Sequence, residues 1–279
     1  MNVSRLLIVS VALCLASSLS LYSSPKTKGK KKSKGSSTSV TNGVYHYLAY
    51  KPKPYDSLSS KKWPLLIYLH GRSASGTNLN SVRRYGVPFY MDRGMVLDAV
   101  VVAPQCPSGK KWETGDWFTP FYNDILKKYN IDTTRIYLTG MSMGGFGAWS
   151  LGLKYPGRFA AIVPFCGGHF NEAAIAQLKD VPIWVFHGSA DTQVPFRRSS
   201  ELVEVLRNAG GTPKFTVLKG AGHDIHHGFS DERIYQWMFK YRRGDKMLPE
   251  DVSPTDTIVW KTISKPTIKP STKEEEKSE

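Results

Sequence analysis

Six short apolar runs, most of them rich in β-branched residues, recur along the middle of this chain. They are LLIYLH (65–70), AVVVAP (99–104), RIYLTG (135–140), AAIVPF (160–165), PIWVFHG (182–188) and KFTVLKG (214–220). Such runs show no polar alternation and so offer no face to water. They belong in strands buried on both sides, as in a parallel sheet. Helix-prone stretches separate them: FYNDILKKYN (121–130), the segment after Ser142 through Leu153, RRSSELVEVLRNAG (197–210) and DERIYQWMFKYRRG (231–244). Alternation of strand and helix predicts an α/β fold, a mostly parallel sheet flanked by helices, in a single domain. VYHYLAYKP (44–52) is expected to add an antiparallel edge strand. A chain of 279 residues with 41% hydrophobic content is long and apolar enough for one such core.

Ligands of such sheets gather outside the carboxyl ends of the strands. After LLIYL comes His70-Gly71-Arg72, and after RIYLT comes Gly140-Met141-Ser142-Met143-Gly144. After PIWVF comes His187-Gly188-Ser189-Ala190-Asp191, and after KFTVL comes Lys219-Gly220-Ala221-Gly222-His223. A serine, an aspartate and a histidine thus follow three strands in the order Ser, Asp, His. That is the chain order of the α/β-hydrolase triad, and G-x-S-x-G between strand and helix is its nucleophile turn. Serine is a weak nucleophile that needs a base, and His223 has the chemistry for it. Asp191 is expected to fix the imidazole tautomer and stabilise its charged form. Gly140 and Gly144 are expected to let strand and helix approach closely. The expected oxyanion hole consists of backbone N–H groups of Met143 and of Gly71 or Arg72.

Other residues allow more than one role. His70 reads as packing under the oxyanion loop, and His187 as packing near the acid loop. His227 is a weaker rival to His223 as base. Arg72 reads either as a solvent-facing side chain or as a contact to an anionic part of a substrate. The loop KWETGDWFTPFYNDI (111–125) holds Trp112, Trp117 and Phe118. It reads either as an aromatic wall contacting substrate or as a cap packed on the domain's own core. His169 is a candidate substrate contact at the cleft rim.

From about Val44 to Arg243 the chain resembles secreted α/β-hydrolase serine esterases of the phospholipase/carboxylesterase and feruloyl-esterase-like group, which borders the prolyl-oligopeptidase catalytic domain. LLIYLHGRSASG, RIYLTGMSMGGFGAWSLGLKYPGRFAAIVPFCGG, VFHGSADTQVPFRRS and GAGHD carry the resemblance. It implies hydrolysis of carboxylic esters through an acyl-enzyme on Ser142, Asp191 and His223, with no metal and no cofactor. Aromatic or polysaccharide-linked esters are the implied substrate class. Two alternatives stand beside it: a serine peptidase of prolyl-oligopeptidase type, hinted at by Arg72, Arg197 and Arg198, and a non-catalytic surface-binding protein on a hydrolase fold.

The ends of the chain differ from its middle. MNVSRLLIVSVALCLASSLS has the basic, apolar and small-residue order of a secretory signal, so residues 1–20 are expected to direct export. An uncleaved N-terminal membrane anchor is the alternative. Residues 21–41 read as a flexible basic linker. Six lysines of Lys26–Lys34 sit there, a large part of the net charge of +15. That arm is either a solvated leash or a patch for anionic surface polymer or lipid, and export argues against nucleic acid. The catalytic domain is expected over 42–245 and a flexible charged tail over 246–279, with Ile258-Val259-Trp260 the part able to dock. Cys106 and Cys166 are expected either to pair or to remain buried thiols.

Overall fold

A computed structural model describes residues 36–38, 45–252 and 255–259, all in one compact unit. The expected signal, most of the basic linker with Lys26–Lys34, and the end of the tail with Trp260 lie outside the described residues. The six apolar runs form six strands: β3 (Trp63–Leu69), β4 (Val100–Pro104), β5 (Ile131–Met141), β6 (Ala161–Phe165), β7 (Trp184–Gly188) and β8 (Lys214–Lys219). Neighbours among them pair in parallel, in the order β4-β3-β5-β6-β7-β8. The expected antiparallel strand is β2 (Tyr47–Tyr50), paired with β4. It is not the edge, because β1 (Ser36–Thr38) pairs outside it, antiparallel. At the other side β9 (Asp256–Val259) adds parallel to β8. Both outer strands fall in segments whose composition reads as flexible. The sequence of β1, SST, carries no apolar residue, whereas β9, DTIV, contains Ile258 and Val259 of the patch expected to dock.

Strand alternation explains the unbroken apolar runs. Leu65, Ile67 and Leu69 enter one core, with Val100, Val102, Ile136, Leu138 and Val185. Leu66 and Tyr68 enter the other, with Val101, Ala103, Tyr137, Phe165 and Phe186. Successive side chains of a strand point to opposite faces, so both sets must be apolar when helices cover both faces. Helices α2 (Phe118–Lys128), α3 (Met143–Lys154) and α4 (Arg197–Asn208) cover the first face. Helices α1 (Gly86–Met91) and α5 (Glu232–Lys240) cover the second. The helical stretch α1 carries too few residues to show a period in sequence. Among the described residues no helix is long and apolar enough to cross a membrane.

The topology places a crevice. β3 leads by way of α1 to β4 on one side, whereas β5 leads through α3 to β6 on the other. The two connections diverge between adjacent strands, and ligands of open α/β sheets bind at such a switch point. Residues His70–Arg72 and Ser142 therefore meet at the ends of β3 and β5, where Leu69 and Gly140 are register partners.

Leu138, fully buried in β5, is a main support of the first core. Leu138→Ala is expected to lower the unfolding free energy by about 3 kcal/mol. Leu58→Ala, at a site 94% exposed, is expected to change it by less than about 0.5 kcal/mol. Urea unfolding of both variants checks the contrast.

Candidate active site

Ser142 joins β5 to α3 with no intervening loop residue, and its backbone sits at φ 59°, ψ −121°. A non-glycine residue at positive φ costs on the order of 1–3 kcal/mol and persists only where its surroundings enforce it. Here two backbone hydrogen bonds hold the turn: Ser142 N–H donates to Phe165 O at 3.0 Å, and Phe146 N–H donates to Ser142 O at 3.0 Å. The glycines supply clearance. A Cβ on Gly144 would stand 2.6 Å from the Leu69 carbonyl carbon and 2.9 Å from His70 O, and one on Gly140 would stand 2.7 Å from Leu69 O. The first turn of α3 thus presses directly on the end of β3. Beyond the turn, α3 is glycine-rich and apolar nearly all round, as a helix enclosed by core must be.

The imidazole of His223 lies between Ser142 and Asp191. Its Nε2 is 2.8 Å from Ser142 Oγ and its Nδ1 is 2.7 Å from Asp191 Oδ2. With an anionic acceptor on Nδ1, the ring carries its proton there, which leaves Nε2 free to accept from the serine hydroxyl. Asp191 is fixed in turn. Its Oδ1 accepts the N–H groups of Gln193 and Val194, each at 2.9 Å. His187 Nε2 stands 3.3 Å from Oδ2 and 2.9 Å from Val194 O. Burial lowers the pKa of His187, so this neighbour stays neutral. Loop residues 189–191 and 220–223 are therefore locked together by a buried carboxylate with four polar neighbours.

The oxyanion side is built on His70. Its Nε2 accepts the Cys106 N–H at 2.9 Å, so Nδ1 holds the proton and donates it to Gly71 O at 2.7 Å. Burial lowers the pKa of His70 to about 4, because a second proton would lose water and face the Cys106 N–H. Trp112 Nε1 donates to His70 O at 3.0 Å, and its ring meets the imidazole edge-on at 4.9 Å. These bonds hold the Gly71–Arg72 backbone against the serine: a Cβ on Gly71 would lie 3.6 Å from Ser142 Cβ. Met143 is the first residue of α3, so its N–H has no carbonyl one turn back to bond.

Several expected contacts lie elsewhere. Trp112, Trp117 and Phe118 are buried in the first core and do not line the cleft. Trp117 Nε1 donates to Trp112 O at 2.6 Å and its ring stacks on Tyr45 at 4.9 Å, so this loop is a cap on the domain itself. His169 bonds its own turn, Nδ1 lying 2.8 Å from Asn171 O, and is not among the cleft-lining residues. Cys106 and Cys166 are both buried free thiols, not a disulfide. Burial pushes the Cys106 thiol up to about 11 and the Cys166 thiol higher, so both stay protonated. His227 hydrogen-bonds Tyr90 through Nδ1 at 2.8 Å, away from Ser142. Cys166, Asp191 and His223 bring ligand atoms within 4.8 Å of one another, but His223 and Asp191 are already engaged with each other.

The cleft has a volume of about 220 Å³ and is lined by Arg72, Lys111, Glu113, Ser142, Met143, Phe146, Phe170 and Val194. Sequence reasoning missed its aromatic side. Phe146 lies four residues after Ser142, one helical turn on, which puts both on one face of the chain. Phe170 stacks on it at 5.4 Å.

Comparison with known proteins agrees with this architecture. The Phospholipase/Carboxylesterase family profile matches residues 122–231. A solved thermostable esterase superposes with a TM-score of 0.60 at 30% identity, covering 71% of this chain and 59% of its own. The fold is that of the α/β-hydrolases. A ferulic acid esterase structure gives a TM-score of 0.57 at 23% identity, covering 70% of this chain and 92% of its own. Among curated proteins, a bifunctional acetylxylan esterase/xylanase of Neocallimastix patriciarum is 31% identical over 151 residues, 52% of this chain and 22% of the relative. A probable dipeptidyl-peptidase 5 of Aspergillus terreus is 24% identical over 263 residues, 75% of this chain and 35% of the relative. The α/β-hydrolase chain thus spans about a fifth to a third of the length of these two relatives.

The neutral His70 makes a prediction about pH. Its pKa is near 6.5 in an unfolded chain and about 4 in the fold. Between those values the unfolded chain takes up a proton that the folded chain refuses. Stability present above pH ~6.5 is therefore lost as pH falls toward ~4, by up to about 3 kcal/mol, and His187 acts in the same direction. Unfolding free energies across this range are expected to fall with pH in the native sequence and less steeply in His70→Gln. A flat profile in the native sequence contradicts the assignment.

Proposed function

We propose that this protein is a serine esterase that hydrolyses carboxylic esters through an acyl-enzyme. The observation that carries the reading is the unbroken chain Ser142 Oγ–His223 Nε2/Nδ1–Asp191 Oδ2 at 2.8 and 2.7 Å. Ser142 Oγ attacks the ester carbonyl carbon while its proton passes to His223 Nε2. Asp191 stabilises the imidazolium that forms, and its own two N–H donors keep it in place. Charge gathers on the carbonyl oxygen, where N–H groups of Met143 and of the Gly71–Arg72 backbone meet it, aided by the N-terminus of α3. As the tetrahedral intermediate collapses, the alcohol leaves with the proton from Nε2. Water then gives a proton to His223, attacks the acyl carbon, and the acid departs as Ser142 Oγ regains its proton.

A cleft of about 220 Å³ with Phe146 and Phe170 on one side suits a short acyl chain or a single aromatic ring rather than a long lipid chain. The esterase relatives support ester chemistry. The peptidase reading needs a cationic clamp; of the three arginines that hint at one, Arg198 is paired with Glu172 at 3.3 Å and Arg197 with Glu201 at 3.5 Å, which leaves Arg72 alone at the cleft. Export through residues 1–20 and adhesion through the lysine arm are further parts of this reading, resting on composition alone. They fit an enzyme acting on polymer-linked esters outside the cell.

Rates on 4-nitrophenyl acetate, butyrate and decanoate, on methyl ferulate and on aminoacyl 4-nitroanilides test the reading. Short or aromatic esters are expected to be the best substrates. Ser142→Ala and His223→Ala are each expected to lower kcat/KM at least about a thousandfold. Turnover of the anilides above the esters sinks the esterase reading in favour of a peptidase. Ester turnover that survives in Ser142→Ala sinks the assigned nucleophile.

A further inference from the structure

The rim of the cleft carries an excess of positive charge that the esterase chemistry does not use. Arg72, Lys111 and Glu113 line the cleft beside Ser142. Lys111 Nζ also stands 5.7 Å from the centroid of the Phe170 ring, and Arg198 stands 5.8 Å from it. Glu113 approaches Lys111 at 4.0 Å and Glu172 approaches Arg198 at 3.3 Å. Among the described residues no carboxylate lies within ion-pair distance of Arg72. Arg72 is exposed and lines the cleft, and among the described residues its guanidinium is not committed to a structural bond. Its position is set by the chain, because it follows Gly71, which is held against Ser142 by His70. A guanidinium presents paired N–H donors that match a carboxylate, and it stays charged at every working pH.

We infer that the preferred ester carries a carboxylate, bound by Arg72 with support from Lys111, beside a ring or short chain resting on Phe146 and Phe170. This rests on the esterase reading above and names its substrate class: acidic esters, in which a free carboxylate stands a few atoms from the ester bond. The acid can belong to the acyl half, as in a half-ester of a dicarboxylic acid, or to the alcohol half, as in an ester of a hydroxy acid or uronic acid. The recognition chemistry is the same in both. Glu113 limits the selection rather than opposing it, since its charge is matched by Lys111.

Two substrate pairs separate the sources. 4-Nitrophenyl hydrogen adipate against 4-nitrophenyl hexanoate places the carboxylate on the acyl side. 3-Acetoxybenzoate against phenyl acetate places it on the alcohol side. In the native enzyme at low salt, kcat/KM for the acidic member of one pair is expected to exceed the neutral member roughly tenfold, the scale of one charge-assisted hydrogen bond. The ratio is expected to shrink with added salt. Arg72→Gln is expected to bring that ratio near one, and Lys111→Gln to lower it by less. The pair that responds assigns the half of the ester that carries the acid. Ratios near one for both pairs in the native enzyme overturn the proposal while leaving the esterase reading intact. A preference that survives both substitutions overturns it as well. No turnover of any of the four esters overturns the esterase reading and this one with it.

Discussion

The contact on which the rest depends is the seat of α3 on the end of β3. With a side chain at Gly144 or Gly140, the helix would have to retreat from the Leu69 carbonyl. Because both are glycine, Ser142 can turn at positive φ directly from strand into helix, and its hydroxyl stands at the head of the sheet. The same contact places the first N–H of α3 beside the Gly71 loop. One close approach of backbone to backbone thus fixes the candidate nucleophile and both candidate oxyanion donors relative to one another. The strain at Ser142 is held by bonds to Phe165 O and from Phe146 N–H, so it is an outcome of the packing on both sides of the turn.

Two histidines that do not touch the serine keep this arrangement rigid, and both do so by staying neutral. His70 bonds one backbone group with each ring nitrogen, tying the end of β3 to the start of the loop after β4. His187 stands between Ser199, Val194 and the Asp191 carboxylate. A second cation there would compete with His223 for the same carboxylate. Burial, which disfavours the charged imidazole, removes that competition. The exposed side of the cleft is different: among the described residues no carboxylate stands within ion-pair distance of Arg72, so its charge is not committed to the fold.

Much of this was legible in the sequence. The six central strands could be read because both faces of each are covered, which leaves the runs apolar throughout. Ser142, Asp191 and His223 could be read because each stands just past a strand end, where a parallel sheet gathers its ligands. Of the outermost strands, Ser36–Thr38 could not, since SST leaves no apolar signature, and Asp256–Val259 showed only through Ile258-Val259 as a patch able to dock, not as a strand. The aromatic loop misled for a physical reason. Trp112 and Trp117 follow a strand end, as cleft residues do, but their indole N–H groups find backbone carbonyls at His70 and Trp112, which allows complete burial. Phe146 and Phe170 were missed because one sits inside the nucleophile motif and the other two residues past a glycine pair. A helical-turn count from Ser142 finds the first, and nothing in the sequence marks the second.

The central claim is that Ser142 is a nucleophile activated by His223. The most direct measurement is covalent labelling by a fluorophosphonate, followed by intact-mass determination and peptide mapping. One phosphonyl group per chain is expected, on Ser142, with labelling slowed at least about a hundredfold in His223→Ala, the scale of a lost general base. Labelling at another residue, or labelling of Ser142 at an unchanged rate without His223, would contradict it.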